Sequence, residues 1–406
     1  MTARHIVVIG GGPAGVFAAI EAKRRDARAD VTLISDERSE PYERPPLSKA
    51  VLLGKARAAD APIAGPKGMA GHGVTLVLHT RCAAIDRAAC AVVTTSGRRF
   101  PYDALVIATG SAVRQIPALP LSAPRVHYLR TEAHADALAA ELKAARHLAV
   151  VGGGLIGLEV AASARELGVE VTVIEVAPRI LARVCDEETS TVIAAEHRRH
   201  GVDIRLDAQL TDAGTGSDGR LALKIVGGET IRADLVVVGA GAAPDDRLAA
   251  AAGLATDTGI VVDAQCRTSD PAIFAAGDVV RFPGPHGLVR QEDWRHAQDQ
   301  GGVAGRNAAG ASDTYRSTPS FWSEQFGLYI QGVGWPRPEP ERRVRRRGAN
   351  LITFELAGLH IGYALGINAQ RDMAVVRRLI ERHIAVDPAA LADPTISLAD
   401  LLKAKP

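Results

Sequence analysis

Two short glycine-rich stretches carry the clearest chemistry in this chain. In HIVVIGGGPAGVFAAIEAKRR, Gly10, Gly12 and Gly15 fall in GxGxxG register between an apolar run (Ile6 to Ile9) and an Ala-rich segment. A strand that feeds a helix through such a turn brings bare backbone close to a ligand, and a pyrophosphate can then rest on the helix N-terminus. The next strand, VTLIS, ends at Asp36, 21 residues beyond Gly15, where a carboxylate can accept hydrogen bonds from a ribose diol. The same pattern returns in HLAVVGGGLIGLEVAASARELG with Gly152, Gly154 and Gly157, and the following strand VEVTVIE ends in Glu175, 18 residues beyond Gly157. One GxGxxG is weak evidence, but two copies, each with strand, helix and terminal acid, point to two bound dinucleotides. A carboxylate at Glu175 suits a free ribose 2′-hydroxyl and repels a 2′-phosphate, which favours NADH over NADPH. Arg179 and Arg183, just downstream, can soften that repulsion, lie on a solvated helix face, or meet the pyrophosphate.

Other turns belong to the same pattern. YDALVIATGS places Ala108, Thr109 and Gly110 after a strand, and ADLVVVGAGAAP repeats that arrangement behind the second glycine motif. IFAAGDVVRF puts Gly277 and Asp278 after a short apolar strand. Asp278 there can bond a polyol chain, with a following helix N-terminus near the pyrophosphate, or serve as an ordinary N-cap.

The elements that must hold these turns are those of an α/β protein. The chain has 406 residues, enough for two or three domains. Apolar residues make up 47% and charged residues 23%, which excludes wholesale disorder. A net charge of +2 argues against a chain built for nucleic acid or an anionic membrane. The longest apolar run, Leu148 to Ala164, is broken by glycines and carries Glu159, so it is no membrane span. Met1 to Arg4 lead at once into HIVVIG, leaving no room for a signal peptide, and a cytoplasmic protein is expected. Cys82, Cys90, Cys185 and Cys266 are scattered, with no CxxC pair. That spacing offers neither a zinc site nor a dithiol centre, and four inert buried thiols are expected.

Together these motifs resemble the two-dinucleotide-binding flavoproteins of glutathione-reductase-like fold. EPYERPPLSK (Glu40 to Lys49) and FWSEQFGLYIQGVG (Phe321 to Gly334) narrow the likeness. The chain is similar, from about residue 5 to 385, to the FAD-dependent NAD(P)H:ferredoxin reductases of bacterial oxygenase systems, the putidaredoxin reductase and aromatic-ring dioxygenase reductase type. The resemblance implies two Rossmann-like domains plus a C-terminal α+β interface domain: an FAD domain over 1–112 and 241–313, an NADH domain over 113–240, and the interface domain over 314–406. Runs such as NLITFEL and IGYAL suggest strands in the last, and residues 371–383 look helical.

The site residues implied by the resemblance follow the motifs. FAD would be held by Gly10, Gly12, Ala14, Gly15, Asp36, Arg44, Lys49, the turn Ala108, Thr109 and Gly110, Arg130 in HYLRT, Gly277, Asp278, and Trp294 in QEDWRHAQDQ. NADH would use Gly152, Gly154, Ile156, Gly157, Glu175 and Arg183. Lys49 and Glu159 would form a pair at the hydride step: the cation stabilises negative charge gained by the flavin, and Glu159 keeps it oriented. The plainer readings are a surface lysine and a helix carboxylate near a positive dipole end. No metal site is expected.

The implied reaction passes a hydride from NADH to FAD and then single electrons to an acidic [2Fe–2S] ferredoxin. Arg337, Arg342, Arg343, Arg345, Arg346 and Arg347 in RPEPERRVRRRGA would offer it a basic face, unless they form a solvated strand edge. A monomer or weak homodimer is expected. Rival readings are a reductase of rubredoxin or small quinones, an oxidase or peroxidase, for which PPLSK lacks the usual cysteine, and an NADH-responsive flavoprotein switch.

Overall fold

The structure, a computed structural model, describes residues 3–403 apart from 286 and 317. The chain divides into two compact units. The first comprises Met1–Arg44, Arg57–Ala112 and Ala242–Ser317, and the second comprises Pro45–Ala56, Val113–Gly241 and Thr318–Pro406.

The first unit is built on a five-stranded parallel sheet in the order Ile273–Ala275, Ala104–Ile107, His5–Ile9, Asp30–Ile34, Thr75–Val77. The first glycine motif leaves the central strand, His5–Ile9, whose Ile6 to Ile9 are all buried. A strand covered on both faces reads as a continuous Val/Ile run rather than an alternation, as HIVVI does. The helix Pro13–Arg25 follows, with Gly12 as N-cap, Pro at its start and Lys23, Arg24 and Arg25 in its last turn. Proline is pre-set for a helix start, and the basic residues face the negative dipole end. This helix packs on the helix Trp294–Ala308 through glycines. A Cβ at Gly301 would lie 2.2 Å from the Ala14 carbonyl oxygen, and one at Gly305 would lie 2.0 Å from that of Ala18. The close approach therefore admits no side chain at either position.

The second unit repeats the plan. Its parallel sheet runs Val202–Arg205, Glu170–Ile174, His147–Val151, Leu235–Val238, Val126–His127, again with the glycine-motif strand in the centre. Each parallel sheet is accompanied by a three-stranded antiparallel one, made of Cys82–Asp86, Ala91–Thr94 and Arg99–Pro101 in the first unit and of Leu210–Thr215, Leu221–Ile225 and Thr230–Ala233 in the second. The repeat visible in the motifs thus extends to a whole α/β module. The second unit also holds a five-stranded antiparallel sheet in the order Ser320–Gln325, Leu328–Gly334, His360–Ile367, Asn350–Ala357, Glu341–Arg347, backed by the helix Gln370–Glu381. The strands expected at NLITFEL and IGYAL and the helix expected over 371–383 are these elements.

Three local expectations are corrected. Asp278 does not open a helix: the next element is the strand Val280–Gly284, and among the described residues the following helix begins at Trp294. The β-branched and aromatic run VVRF favours extended backbone. Arg179 and Arg183 lie not on a helix face but in the turns before the helix Glu187–Arg199. The four thiols are not all buried: Cys185 and Cys266 are, Cys82 is intermediate and Cys90 is exposed. No helix among the described residues is long and apolar enough to cross a membrane.

Candidate active site

In the first unit, Gly10 has φ +114°, and a Cβ there would lie 2.1 Å from the Ala108 carbonyl oxygen; one at Gly15 would lie 1.8 Å from the oxygen of Gly10. These two glycines close the turn upon itself and against Ala108–Thr109. Gly12 differs. Its φ of −80° is ordinary, and a Cβ built on it meets no atom within 4 Å. It caps a helix that has no side-chain cap and no acidic residue in its first turn. A helix start without a side-chain cap or an acidic group, with open space at its N-cap, fits a pyrophosphate.

The remaining first-unit residues have partners of their own. Thr109 Oγ1 donates to the Asp245 carbonyl at 2.7 Å, and Gly110 accepts from Asp245 N at 2.9 Å. Asp36 is exposed at the end of the strand Asp30–Ile34. Arg44 pairs with Glu37 at 2.8 Å. Ser111 Oγ donates to Asp278 Oδ2 at 3.1 Å. Gly277 has φ +83°, gives its N–H to Gln300 Oε1 at 2.8 Å, and a Cβ on it would collide with the Ala14 methyl. Trp294 opens its helix, donates from Nε1 to Glu43 and sets its ring edge-on to Phe17. Burial raises Glu43 above the usual carboxylate range, against the lowering effect of that bond.

Sequence reasoning did not find Asp293, the true N-cap of this helix, which accepts from His296 N at 2.7 Å. Burial, reinforced by Asp278, pushes Asp293 up to about 6, and burial drives His296 down to about 4. Arg290, Gln291, His296 and Gln300 each retain a buried polar atom without a hydrogen-bond partner among the described residues. Buried polar groups normally find a partner in protein, ligand or ordered water, so this polar shell beside Asp278 fits a polar ligand.

The second glycine turn reproduces the first. Gly152 has φ +113° with its Cβ position 2.5 Å from the Gly239 carbonyl oxygen, Gly157 would meet Gly152 O at 2.2 Å, and Gly154 again faces nothing within 4 Å. The turn Gly239 to Gly241 does here what Ala108 to Gly110 does in the first unit. Arg183 is exposed, with its guanidinium 3.6 Å from the Cβ position of Gly241. Arg179 donates to the carbonyls of Ala182 and Cys185, which hold its guanidinium against its own loop. Glu175 Oε2 accepts from Gly153 N at 2.6 Å and Oε1 from Ala177 N at 2.8 Å. A carboxylate offers about four acceptor positions, so Glu175 is fixed beside the turn with capacity left for a ribose diol. Ile156 and Val176 are 47% and 65% exposed, two apolar side chains flanking the turn that a planar ring could cover. Val176 was not foreseen, because a lone valine after a strand carries no signal.

Lys49 and Glu159 do meet. Lys49 Nζ lies 2.8 Å from Glu159 Oε2, the lysine following the tight turn Pro45–Ser48 and the glutamate lying on the helix Leu155–Glu166. Ser163 Oγ donates to the Ser48 carbonyl at 2.7 Å and ties that turn to the helix. Glu159 also accepts from Ser48 Oγ through Oε2 and from Ser323 Oγ through Oε1. With Glu159 only 6% exposed, the two groups stand as a bonded pair rather than as separately solvated side chains. A cavity of about 400 Å³ opens beside the pair, lined by Leu53, Glu166, Phe326 and Tyr329 among others. Arg130 is half-buried in this same unit, one residue before the N-cap Thr131 of the helix Glu132–Leu142.

The arginine run is less basic than its sequence. It forms the edge strand Glu341–Arg347. Arg345 is buried and bonds the carbonyls of Leu391, Asp393, Pro394 and Ile396, which removes it from any docking face. Arg342, Arg343 and Arg346 pair with Glu355, Glu341 and Glu188. Burial pushes the Cys82 and Cys185 thiols up to about 12 and Cys266 higher still, so these three are poor nucleophiles. Among the described residues no His/Cys/Asp/Glu cluster could hold a metal ion.

Two outward-opening glycine turns on paired α/β modules define a protein of the two-dinucleotide class, and here a lysine–glutamate pair is present without a dithiol. The chain belongs to the pyridine nucleotide-disulphide oxidoreductase family, whose pattern matches residues 4–301, and a reductase C-terminal module matches residues 320–402. It is 39% identical to the ferredoxin–NAD(+) reductase component of the p-cumate 2,3-dioxygenase system of Pseudomonas putida, over 97% of this chain and 98% of that one. It is 41% identical to the corresponding component of the anthranilate 1,2-dioxygenase system of Burkholderia cepacia, over 99% and 100%. The fold superposes with a TM-score of 0.94 on the covalent putidaredoxin reductase–putidaredoxin complex, at 32% identity and covering 98% of each chain.

Proposed function

We propose that the protein is an FAD-dependent NADH:ferredoxin reductase that supplies electrons to a bacterial oxygenase. The observation that carries the reading is the pair of equivalent glycine turns, one in each unit, each with open space at its N-cap glycine and a helix start that carries no side-chain cap. Whole-length likeness to named ferredoxin reductases supports it. The proposed modules are 1–112 with 241–313 for FAD, 113–240 for NADH, and 314–406 for the interface with the acceptor.

Bound FAD would supply the conversion of a two-electron hydride into single-electron transfers, chemistry that no side chain of this protein provides. Gly10, Gly12, Ala14 and Gly15 admit the FAD pyrophosphate, Asp36 takes a ribose diol, and Asp278 takes the ribityl chain. Ala108, Thr109, Gly110, Gly277, Arg44, Trp294, Lys49 and Arg130 complete the FAD set. Gly152, Gly154, Ile156, Gly157 and Arg183 hold NADH, and Glu175 selects it over NADPH by repelling a 2′-phosphate. Lys49 provides a fixed positive charge for the hydride step. Glu159 holds that ammonium in place.

The acceptor is a [2Fe–2S] ferredoxin with an acidic face, met by Arg337, Arg342, Arg343, Arg346 and Arg347. The enzyme works in the cytoplasm as a monomer or weak homodimer. The test is NADH-driven cytochrome c reduction by the purified holoenzyme, with and without an acidic ferredoxin. Strong stimulation by the ferredoxin is expected. Rapid reduction of the flavin with no stimulation by any ferredoxin overturns the reading; a rubredoxin or quinone reductase, or a slowly reoxidising NADH switch, then takes its place.

A further inference from the structure

We propose that Ser323, Gln325 and His197 are positioning residues for Glu159, joined in a hydrogen-bonded relay that runs in one direction. The proposal rests on the reading of Lys49 and Glu159 as the pair serving the hydride step. Ser323 and Gln325 are two apart on the strand Ser320–Gln325, so their side chains share a face. Ser323 Oγ lies 2.5 Å from Glu159 Oε1, Gln325 Nε2 lies 2.9 Å from Ser323 Oγ, and His197 Nε2 lies 2.9 Å from Gln325 Oε1. The whole chain of contacts is buried, with Ser323 and His197 fully inaccessible.

The direction follows from the acceptor at its inner end. An ionised carboxylate can only accept, so the Ser323 hydroxyl must donate to Glu159. With that hydrogen spent, Ser323 Oγ can only accept from Gln325. The Gln325 amide is then fixed with nitrogen toward Ser323 and oxygen toward His197. His197 must present Nε2–H, which leaves Nδ1 as a bare lone pair. Nδ1 of His197 is indeed buried and without a hydrogen-bond partner among the described residues, and a bare acceptor is better tolerated than a bare N–H. Burial also holds His197 below the usual histidine range, against the raising effect of its bond to Gln325, as suits a neutral ring.

The outer end is held mechanically. Phe326 sets its ring edge-on to His197 at 4.9 Å and stacks on His200 at 4.1 Å. Phe326 and Gly327, at φ +48° and +76°, form the two-residue turn between Ser320–Gln325 and Leu328–Gly334. Both residues of such a turn sit in the left-handed region, where a non-glycine residue is strained, and the ring contacts offset that strain. At the inner end Ser48 and Lys49 share Oε2. With Oε1 tethered to Ser323, the carboxylate cannot rotate away, and the C-terminal sheet thereby sets the position of the Lys49 ammonium.

The test uses holoenzyme labelled with 15N at histidine, the His197 signal being assigned by its loss in H197Q. Wild type should show neutral His197 protonated on Nε2. In S323A the Gln325 amide is free to turn over, so a second tautomer protonated on Nδ1 should appear. In E159Q the new amide can donate, the relay can reverse, and the same tautomer is expected. Anaerobic stopped-flow should show flavin reduction slowed roughly tenfold in S323A and Q325L, with NADH Kd unchanged. A wild-type His197 protonated on Nδ1 overturns the relay without recourse to any variant. So does an S323A enzyme with wild-type tautomer and rate beside a slow E159Q. An E159Q enzyme that reduces its flavin at the wild-type rate instead overturns the reading of the Lys49–Glu159 pair on which the proposal rests.

Discussion

A single methyl group at Gly154 separates what the second glycine turn does for the fold from what it does for a ligand. Gly154 has φ −82° and ψ 179° and faces no protein atom within 4 Å of its Cβ position, so alanine fits without strain. At an N-cap, alanine in place of glycine costs about 0.5–1 kcal/mol. Restricting the unfolded chain returns about 0.4–1 kcal/mol. G154A should therefore unfold within roughly 3 °C of wild type. The methyl group would stand where the pyrophosphate must approach the helix N–H groups. Losing two charge-assisted hydrogen bonds at about 1.5–3 kcal/mol each predicts a weakening of ~3–6 kcal/mol, a Kd for NAD+ raised at least ~100-fold. Isothermal titration of the oxidised holoenzyme with NAD+, alongside a thermal melt, reads both quantities. G157A is the control, because its methyl would lie 2.2 Å from Gly152 O and must disturb the fold itself. Unchanged NAD+ affinity in G154A, or a melt as damaged as that of G157A, would refute the reasoning.

E175A should lose about tenfold or more of its preference for NADH over NADPH in kcat/KM; an unaltered ratio removes Glu175 from cofactor choice. Asp293 titrates at about 6 in the folded chain and near 3.9 when unfolded, so its ionisation weakens folding as pH rises through that window and the loss is complete above it. D293N keeps an N-cap acceptor, and its stability relative to wild type in urea melts should be greater near pH 7.5 than near pH 4.5 by about 1–3 kcal/mol, whereas equal differences would contradict the assignment. G305A, with its methyl 2.0 Å from Ala18 O, should destabilise the first unit by about 1–3 kcal/mol or more, read as a lowered melting temperature with FAD release; a wild-type melt would show that the helices need no such approach. R347A should raise the ferredoxin KM in a manner that added salt abolishes, while R345A should lower the melting temperature instead, and the reverse pattern would place Arg345 in the docking face.

The sequence was most legible where backbone chemistry is local. The glycines of both turns sit as their spacing implies, because a Cβ at Gly10, Gly15, Gly152 or Gly157 collides with backbone and no other residue type serves. The pairing of Lys49 with Glu159 came from the resemblance, since the two are 110 residues apart and nothing local joins them. For the same reason Ser323, Gln325 and His197 went unseen: isolated polar residues acquire meaning only when a fold buries them together. The arginine run misled by composition. Alternation along an edge strand and nearby glutamates neutralise most of it, and Arg345 turns inward to carbonyls supplied by Leu391 to Ile396, some fifty residues away. The helix expected after Asp278 failed because a Gly-Asp turn is compatible with either a helix or a strand, and the β-branched residues that follow decide it.

The most direct test of the central claim is an anaerobic single turnover. The FAD-loaded enzyme is mixed with one equivalent of NADH and an excess of oxidised [2Fe–2S] ferredoxin, and reduced ferredoxin is counted from its visible spectrum. Two ferredoxins should be reduced for every NADH consumed, with the flavin returned to its oxidised form. A flavin that is bleached by NADH and stays reduced while the ferredoxin remains oxidised would contradict it.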